Sequence, residues 1–123
     1  MDFNIVRYVF ERKRFKLMNE YEKETAEITL SLDVIYHLIE DEIYTSYMEL
    51  LFDSSTRFVI IYSSNTEIQA KYQASHVLHR NFSKWIDQNR PEWKLKKIIP
   101  NKYPCIGNDL EGSVSSFYIY EIN

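Results

Sequence analysis

The chain has 123 residues, a formal net charge of -3 and 45% hydrophobic residues. This length is typical of one domain with a sizeable core, so we predict a single domain over residues 1–123. The charge disfavours a nucleic-acid binder, and no apolar run approaches the roughly 18–20 residues that span a bilayer. Cys105 is the only cysteine, which excludes an internal disulfide and favours a cytoplasmic setting.

The predicted elements alternate between strands and helices from the first residues onward. Residues 2–11 fit either a short helix or a strand, and residues 15–18 fit a short strand. Apolar and polar residues alternate over residues 28–33, which predicts another strand. From residue 40 the apolar spacing becomes helical, and acids crowd the first turn, where the helix dipole favours them. The apolar stripe of this predicted helix comprises Ile39, Ile43, Tyr47, Leu50 and Leu51.

Three further strands and a second helix follow. The apolar run at residues 58–62 predicts a strand covered on both faces. After a polar loop, the spacing of Leu78, Phe82, Trp85 and Ile86 predicts a helix that Pro91 ends. Residues 93–99 and 114–122 predict strands joined by a loop. The pattern predicts an α/β fold with parallel, right-handed crossovers and an antiparallel last strand.

The end of the strand at residues 28–33 is a candidate site. Ligands of open α/β sheets bind beyond the carboxyl ends of strands, so Asp33 would face a ligand and His37 would serve as acid–base. A capping aspartate and a structural histidine explain the same spacing. Residues 62–65 end the next strand and would border the same crevice.

Histidine and basic residues give weaker signals. His76 and His79 are three residues apart, as in some metal sites, but a third ligand is lacking and no metal is predicted. Arg80 would meet an anion or lie on a solvated face. Basic clusters occur at residues 12–16 and 94–97, and each is interpreted as a solvated face.

Four stretches resemble the C-terminal portion of class I S-adenosylmethionine-dependent methyltransferases: LSLDVIYHLIEDEIYTSYMELLF, VIIYSSN, HVLHRNFSKWI and PEWKLKKIIPNKYP. The similarity is closest to a bacterial group with unassigned substrates, and it covers residues 15–123. It implies a partial Rossmann-like sheet, mixed and closed by an antiparallel strand, in which the family's first strands are missing. A truncated methyltransferase domain is therefore expected.

The resemblance also implies the cofactor S-adenosylmethionine and a set of site residues. Asp33 and His37 would be catalytic, and Leu32, Asp33 and Val34 would contact the cofactor. The implied acceptor contacts are Tyr36, Tyr62, Ser63, Ser64, Asn65, His79 and Arg80. The family's glycine-rich cofactor loop has no counterpart, because the only glycines are Gly107 and Gly112. We therefore expect weak or no cofactor binding and possible inactivity of the chain alone.

Loss of the family's first strand would leave residues 28–32 as an unpaired hydrophobic edge, which invites association. The sequence thus predicts a homodimer, a rearranged sheet or a fragment of a longer protein. The alternative to a methyltransferase is a non-enzymatic interaction module that uses this edge. The acceptor would be a small molecule or another unknown group, and neither membrane nor nucleic acid is predicted as a partner.

Overall fold

The computed structural model describes residues 15–103 and 114–123. Its strands are β1 (Ala26–Leu32), β2 (Ser55–Ser63), β3 (Trp93–Ile99) and β4 (Ser116–Ile122), and its α-helices are α1 (Asp41–Asp53) and α2 (Phe82–Asn89). Short 3-10 helices occur at Met18–Glu20 and Ile35–His37. The interpretations of residues 2–11 and of Cys105 lie outside the described residues.

The strands form one mixed sheet in the order β1-β2-β4-β3. β1 pairs in parallel with β2, and β4 is antiparallel to both of its neighbours, β2 and β3. The last described strand is therefore inserted between β2 and β3. The predicted α/β fold with a late antiparallel strand is confirmed.

Both α-helices pack against one face of the sheet. The buried core contains Met48 and Phe52 from α1, and Phe82 and Ile86 from α2. From the sheet it contains Val59, Ile61, Trp93 and Tyr120. The Phe52 ring lies at the centre, with ring centroids 5.3 Å from Trp93, 6.2 Å from Tyr120 and 6.3 Å from Trp85.

The buried face of α1 differs from the predicted stripe. Ile39 and Ile43 are 41% and 46% exposed, so their predicted core positions are wrong. The helix buries Leu51, as predicted, together with Tyr44, Met48 and Phe52, and Tyr47 of the predicted stripe packs against this core. Positions 44, 48 and 52 also recur every four residues, and the two aromatic rings among them remove more apolar surface from water than the isoleucines would.

Two other boundaries were predicted wrongly. Residues 15–18 form no strand, and a 3-10 helix occupies Met18–Glu20. The second helix begins at Phe82, after Leu78, because the Asn81 side chain caps it by accepting a hydrogen bond from the Lys84 amide. His76 and His79 therefore lie in the preceding loop.

The other face of the sheet is mostly apolar and is here called the open face. Its cross-strand rows are Leu32–Tyr62–Phe117–Ile99, Leu30–Ile60–Ile119–Lys97 and Ile28–Phe58–Glu121–Lys94. Both described α-helices pack on the opposite face, so the prediction that β2 is covered on both faces is wrong for the described residues. Exposure is high along β1, where Ile28, Leu30 and Leu32 are 48%, 56% and 50% exposed.

β1 also forms an edge of the sheet. Its polar side chains face α1, since Thr29 Oγ1 donates to the Leu51 carbonyl and Tyr47 donates to Ser31 Oγ. Its outer backbone edge has no neighbouring strand within residues 15–103 and 114–123. The predicted unpaired edge is therefore confirmed for this part of the chain.

None of the helices in the described ranges has the length and apolar character required to cross a membrane.

Candidate functional site

The carboxyl ends of the parallel strands β1 and β2 meet at one end of the sheet. The backbone amide of Asp33 donates to the Tyr62 carbonyl at 2.9 Å, which joins the residue after β1 to the end of β2. The segment with the implied cofactor contacts and the segment with implied acceptor contacts therefore begin at neighbouring positions, one after β1 and one at the end of β2. This is the location at which open α/β sheets bind ligands.

Asp33 has a left-handed backbone with φ of 59°. This conformation costs a non-glycine residue on the order of 1 kcal/mol, although aspartate tolerates it better than most. Its Oδ1 accepts a 2.9 Å hydrogen bond from the Tyr36 hydroxyl. Ile35, which is fully buried, anchors the turn between them in the core. Strain of this kind clusters at functional sites, so it marks Asp33 as a candidate.

The Tyr36 side chain acts as a neutral hydrogen-bond donor over the physiological range. Burial raises the pKa of the phenol to about 12, and the hydrogen bond to Asp33 acts in the same direction. The ring lies 4.4 Å from His37 and 6.2 Å from His79, measured between centroids. Tyr36 thus lies between two imidazoles and holds the Asp33 carboxylate.

His37 has a defined tautomer because of its backbone partner. Its Nδ1 lies 3.2 Å from the carbonyl oxygen of His76, which can only accept a hydrogen bond. The proton of the neutral ring is therefore on Nδ1, and the lone pair is on Nε2. The rings of His37 and His76 stack with centroids 5.4 Å apart. His37 is exposed, and an imidazole whose Nε2 carries a lone pair can serve as a general base.

A loop at residues 65–81, here called the site loop, brings the other histidines to the turn after β1. The Leu78 amide donates to the Tyr36 carbonyl at 2.8 Å, and the Thr66 amide donates to the Arg80 carbonyl at 3.2 Å. Nδ1 of His79 lies 2.6 Å from Ser64 Oγ, and Ser64 itself is buried. The polar loop predicted here is confirmed, and it closes against the candidate site.

Gln69 holds the backbone of His79 from both sides. Its Nε2 donates to the His79 carbonyl at 2.8 Å, and its Oε1 accepts from the His79 amide at 2.9 Å. Gln73 adds a 2.7 Å hydrogen bond to the same Oε1 and a 2.8 Å bond to the Val77 carbonyl. Sequence reasoning missed both glutamines. Their separation of four residues in a polar loop carries no signal that distinguishes them from solvated side chains.

Arg80 connects the site loop to the start of α1. Its Nε and Nη2 donate to the Leu38 carbonyl at 3.0 and 2.8 Å, and Nη2 also donates to the Ile39 carbonyl at 2.8 Å. Its Nη1 pairs with Asp41 at 2.8 Å, and the guanidinium lies 4.3 Å above the Tyr44 ring. The side chain is only 12% exposed. These contacts give Arg80 a structural role, and its contact with an acceptor stays a prediction.

The other residues implied as acceptor contacts divide between the two faces of the sheet. Tyr62 lies on the open face, where its ring centroid is 4.5 Å from that of Phe117, and its hydroxyl accepts a hydrogen bond from Asn101. Ser63 faces the helices, and its buried Oγ has no hydrogen-bond partner among the described residues. Asn65 exchanges hydrogen bonds with Ser83 at 3.0 and 3.3 Å, which ties it to α2.

The three residues that the resemblance implies as cofactor contacts would form one wall of such a site. Leu32 and Asp33 are exposed and Val34 is partly exposed, so a ligand can reach the end of β1. The sequence supplies no glycine turn for a second wall. Within the described ranges, no group of three or more His, Cys, Asp or Glu side chains could hold a metal ion.

Comparison with solved structures gives a clear likeness at low sequence identity. The crystal structure of the methyltransferase domain of bacterial CtHen1-C matches with a TM-score of 0.62 and 14% identity. The match covers 99% of this chain and 74% of that chain. No family model matches the sequence, and no curated protein does. The chain therefore has the fold of part of a Rossmann-like methyltransferase domain.

Proposed function

We propose that this chain is the acceptor-side part of an S-adenosylmethionine-dependent methyltransferase domain. The observation that carries the proposal is the strained Asp33 at the joined ends of β1 and β2, with its carboxylate held by Tyr36 and with His37 beside it. The methyltransferase-like fold supports the same reading. The acceptor and the atom that is methylated are left open.

The proposed chemistry assigns separate tasks to the residues of this wall. The bound cofactor would supply an electrophilic methyl group, and Leu32, Asp33 and Val34 would contact it. Nε2 of His37 would accept a proton from the acceptor, since Nδ1 is bound to the His76 carbonyl. Tyr36 and Asp33 would orient the acceptor through hydrogen bonds, which gains rate by positioning.

Titration with S-adenosylhomocysteine tests this proposal. We expect no measurable heat at micromolar concentrations, because the glycine turn is missing from the sequence. We expect weak binding at millimolar concentrations, seen by NMR as shifts of the Leu32, Asp33 and Val34 backbone amides. An Asp33→Asn substitution tolerates the left-handed backbone but removes the charge, and it should reduce these shifts.

A Glu67→Gln substitution is the matched control, since it removes a carboxylate from the site loop and should leave the shifts unchanged. Shifts spread over the surface, or none at the end of β1, would contradict the proposed site. Micromolar affinity would contradict the incomplete cofactor wall while supporting a methyltransferase.

A second candidate function is a non-enzymatic interaction module that forms a homodimer through the β1 edge. Two observations favour it: the outer edge of β1, which has no partner strand among the described residues, and the exposure of Leu30 and its two apolar neighbours on that strand. Antiparallel pairing of two β1 strands about Thr29 would place Ile28 of one copy beside Leu30 of the other on the open face. The edge has no proline or lysine to discourage such pairing.

Light scattering distinguishes this candidate. If the chain is such an interaction module, we expect a mass of twice 14.9 kDa that persists on dilution. Leu30→Glu should convert it to a monomer by placing two charges in the interface. Leu95→Glu is the control, because Leu95 is similarly exposed at 43% but lies on β3, away from this edge. A wild-type protein that is monomeric at every concentration would rule the dimer out.

A further inference from the structure

A polar cleft of about 400 Å³ lies between the site loop, α1 and α2. Its apolar walls come from Tyr44, Leu78 and Trp85. Its size is at the lower end of the range for small-molecule sites, about 300–1,000 Å³. Neither Asp33 nor Tyr36 lines it, so it is separate from the proposed methyl-transfer wall. The two regions have His79 and Arg80 in common, since both are also implied acceptor contacts.

The charged side chains of the cleft are predominantly cationic. Arg80 and Lys84 line it, opposed by the single carboxylate of Glu67. The carboxylate that pairs with Arg80 belongs to Asp41, which is 88% exposed and is not part of the lining. Asp41 thus compensates the charge of Arg80, and Lys84 is the cation of the lining that an anion in the cleft could pair with.

Lys84 is the lysine that lines the cleft. Within residues 15–103 and 114–123 it takes part in no salt bridge. It lies in the first turn of α2, which contains no acidic residue, whereas α1 begins with Asp41 and Glu42. A cation at this end of a helix is opposed by the helix dipole. The placement costs stability unless a negative group lies nearby.

Arg80 has few N–H groups left to donate hydrogen bonds to a ligand. The four hydrogen bonds to Leu38, Ile39 and Asp41 use most of the five N–H groups of its guanidinium. Its Cζ lies 4.3 Å from the centroid of the Tyr44 ring, so a cation and an aromatic ring adjoin in the lining of the cleft. Trp85 supplies an aromatic wall beside it.

We propose that this cleft binds a small molecule that carries an oxyanion, a carboxylate or phosphate, on a flat apolar group. Lys84 pairs with the oxyanion, and Tyr44, Leu78 and Trp85 contact the apolar group. The inference does not depend on methyl transfer, because it uses side chains outside the Asp33 turn.

An NMR titration of the full chain with benzoate, phenyl phosphate and the uncharged analogue benzamide tests the proposal. We expect either oxyanion to shift the backbone amides of residues 78–84, while benzamide at equal concentration leaves them in place. Lys84→Gln should weaken the binding by about fivefold, as expected for the loss of one exposed charge pair. Lys94→Gln, on β3, should leave the affinity unchanged.

Equal binding of benzamide, no binding of either oxyanion, or an affinity unaffected by Lys84→Gln would overturn the proposal. The thermal midpoint of Lys84→Gln reports whether the variant folds, and the exposed position of Lys84 predicts that it does. Shifts at residues 78–84 are separate from those expected at residues 32–34 with S-adenosylhomocysteine. Failure of one proposal is therefore distinguishable from failure of the other.

Discussion

Replacing Phe52 with alanine is expected to lower the free energy of unfolding by about 3–5 kcal/mol. Phe52 is 2% exposed, and its ring contacts aromatic rings from α2, β3 and β4. The substitution removes the side chain at which both helices and two strands meet, and the surrounding rings are too rigid to fill the cavity. A loss of this size is a large fraction of the stability of a domain of this length.

Chemical denaturation by urea, followed by tryptophan fluorescence, measures this loss. Trp85 and Trp93 both lie beside Phe52, so their emission reports directly on the packing. Phe117→Ala is the control, since Phe117 is 37% exposed on the open face and should cost much less. Equal losses for the two variants would show that Phe52 is not the centre of the core.

Replacing Arg80 with methionine is expected to lower the free energy of unfolding by about 2–4 kcal/mol, because hydrogen bonds to a charged group are lost and carbonyl groups remain without donors. Methionine keeps much of the apolar stem but leaves the Leu38 and Ile39 carbonyls without the guanidinium. The pair with the exposed Asp41 adds little, since solvent screens it. The site loop should therefore detach from the turn after β1.

Hydrogen exchange at the Leu78 amide is the specific readout, because that amide is bonded to the Tyr36 carbonyl only while the loop is docked. We expect faster exchange there than at the β2 amides in Arg80→Met. Arg90→Met is the control: it removes a pair with Asp53 at the C-terminal end of α1 and should leave Leu78 protected. Unchanged exchange at Leu78 would contradict the anchoring role of Arg80.

The strands were predictable because their signals are local. Alternation at residues 28–33 and the apolar run at 58–62 identify strands whatever surrounds them, and Pro91 marks the end of α2. Which face of a helix packs against the sheet was harder to predict from the sequence. The α1 sequence offers two apolar stripes, one through Ile39 and Ile43 and one through Tyr44 and Phe52. Only contact with the sheet decides between them, and the larger aromatic area is buried.

The grouping of the candidate residues was predictable in part, and whether they form a functional site stays a prediction. Asp33 and His37 were located by the rule that ligands bind at strand ends, and the structure brings them together with Tyr36 and His79. The left-handed backbone of Asp33 has no sequence signature, since aspartate is common in many conformations. The two hydrogen bonds between the Gln69 side chain and the His79 backbone also depend on the path of the site loop, which no periodic pattern predicts.

The insertion of β4 between β2 and β3 has a consequence for how the chain reaches its fold. Val59 pairs with Tyr120, about half the chain away, and among the described strands β3 joins the sheet only through β4. On a ribosome, β1, β2 and both helices emerge before the strand that joins β3 to them. Until β4 has emerged, the edge of β2 that will pair with β4 lacks that strand. During this interval of synthesis the nascent chain can associate wrongly with other chains. The emergence of β4 therefore governs when the described sheet can be completed.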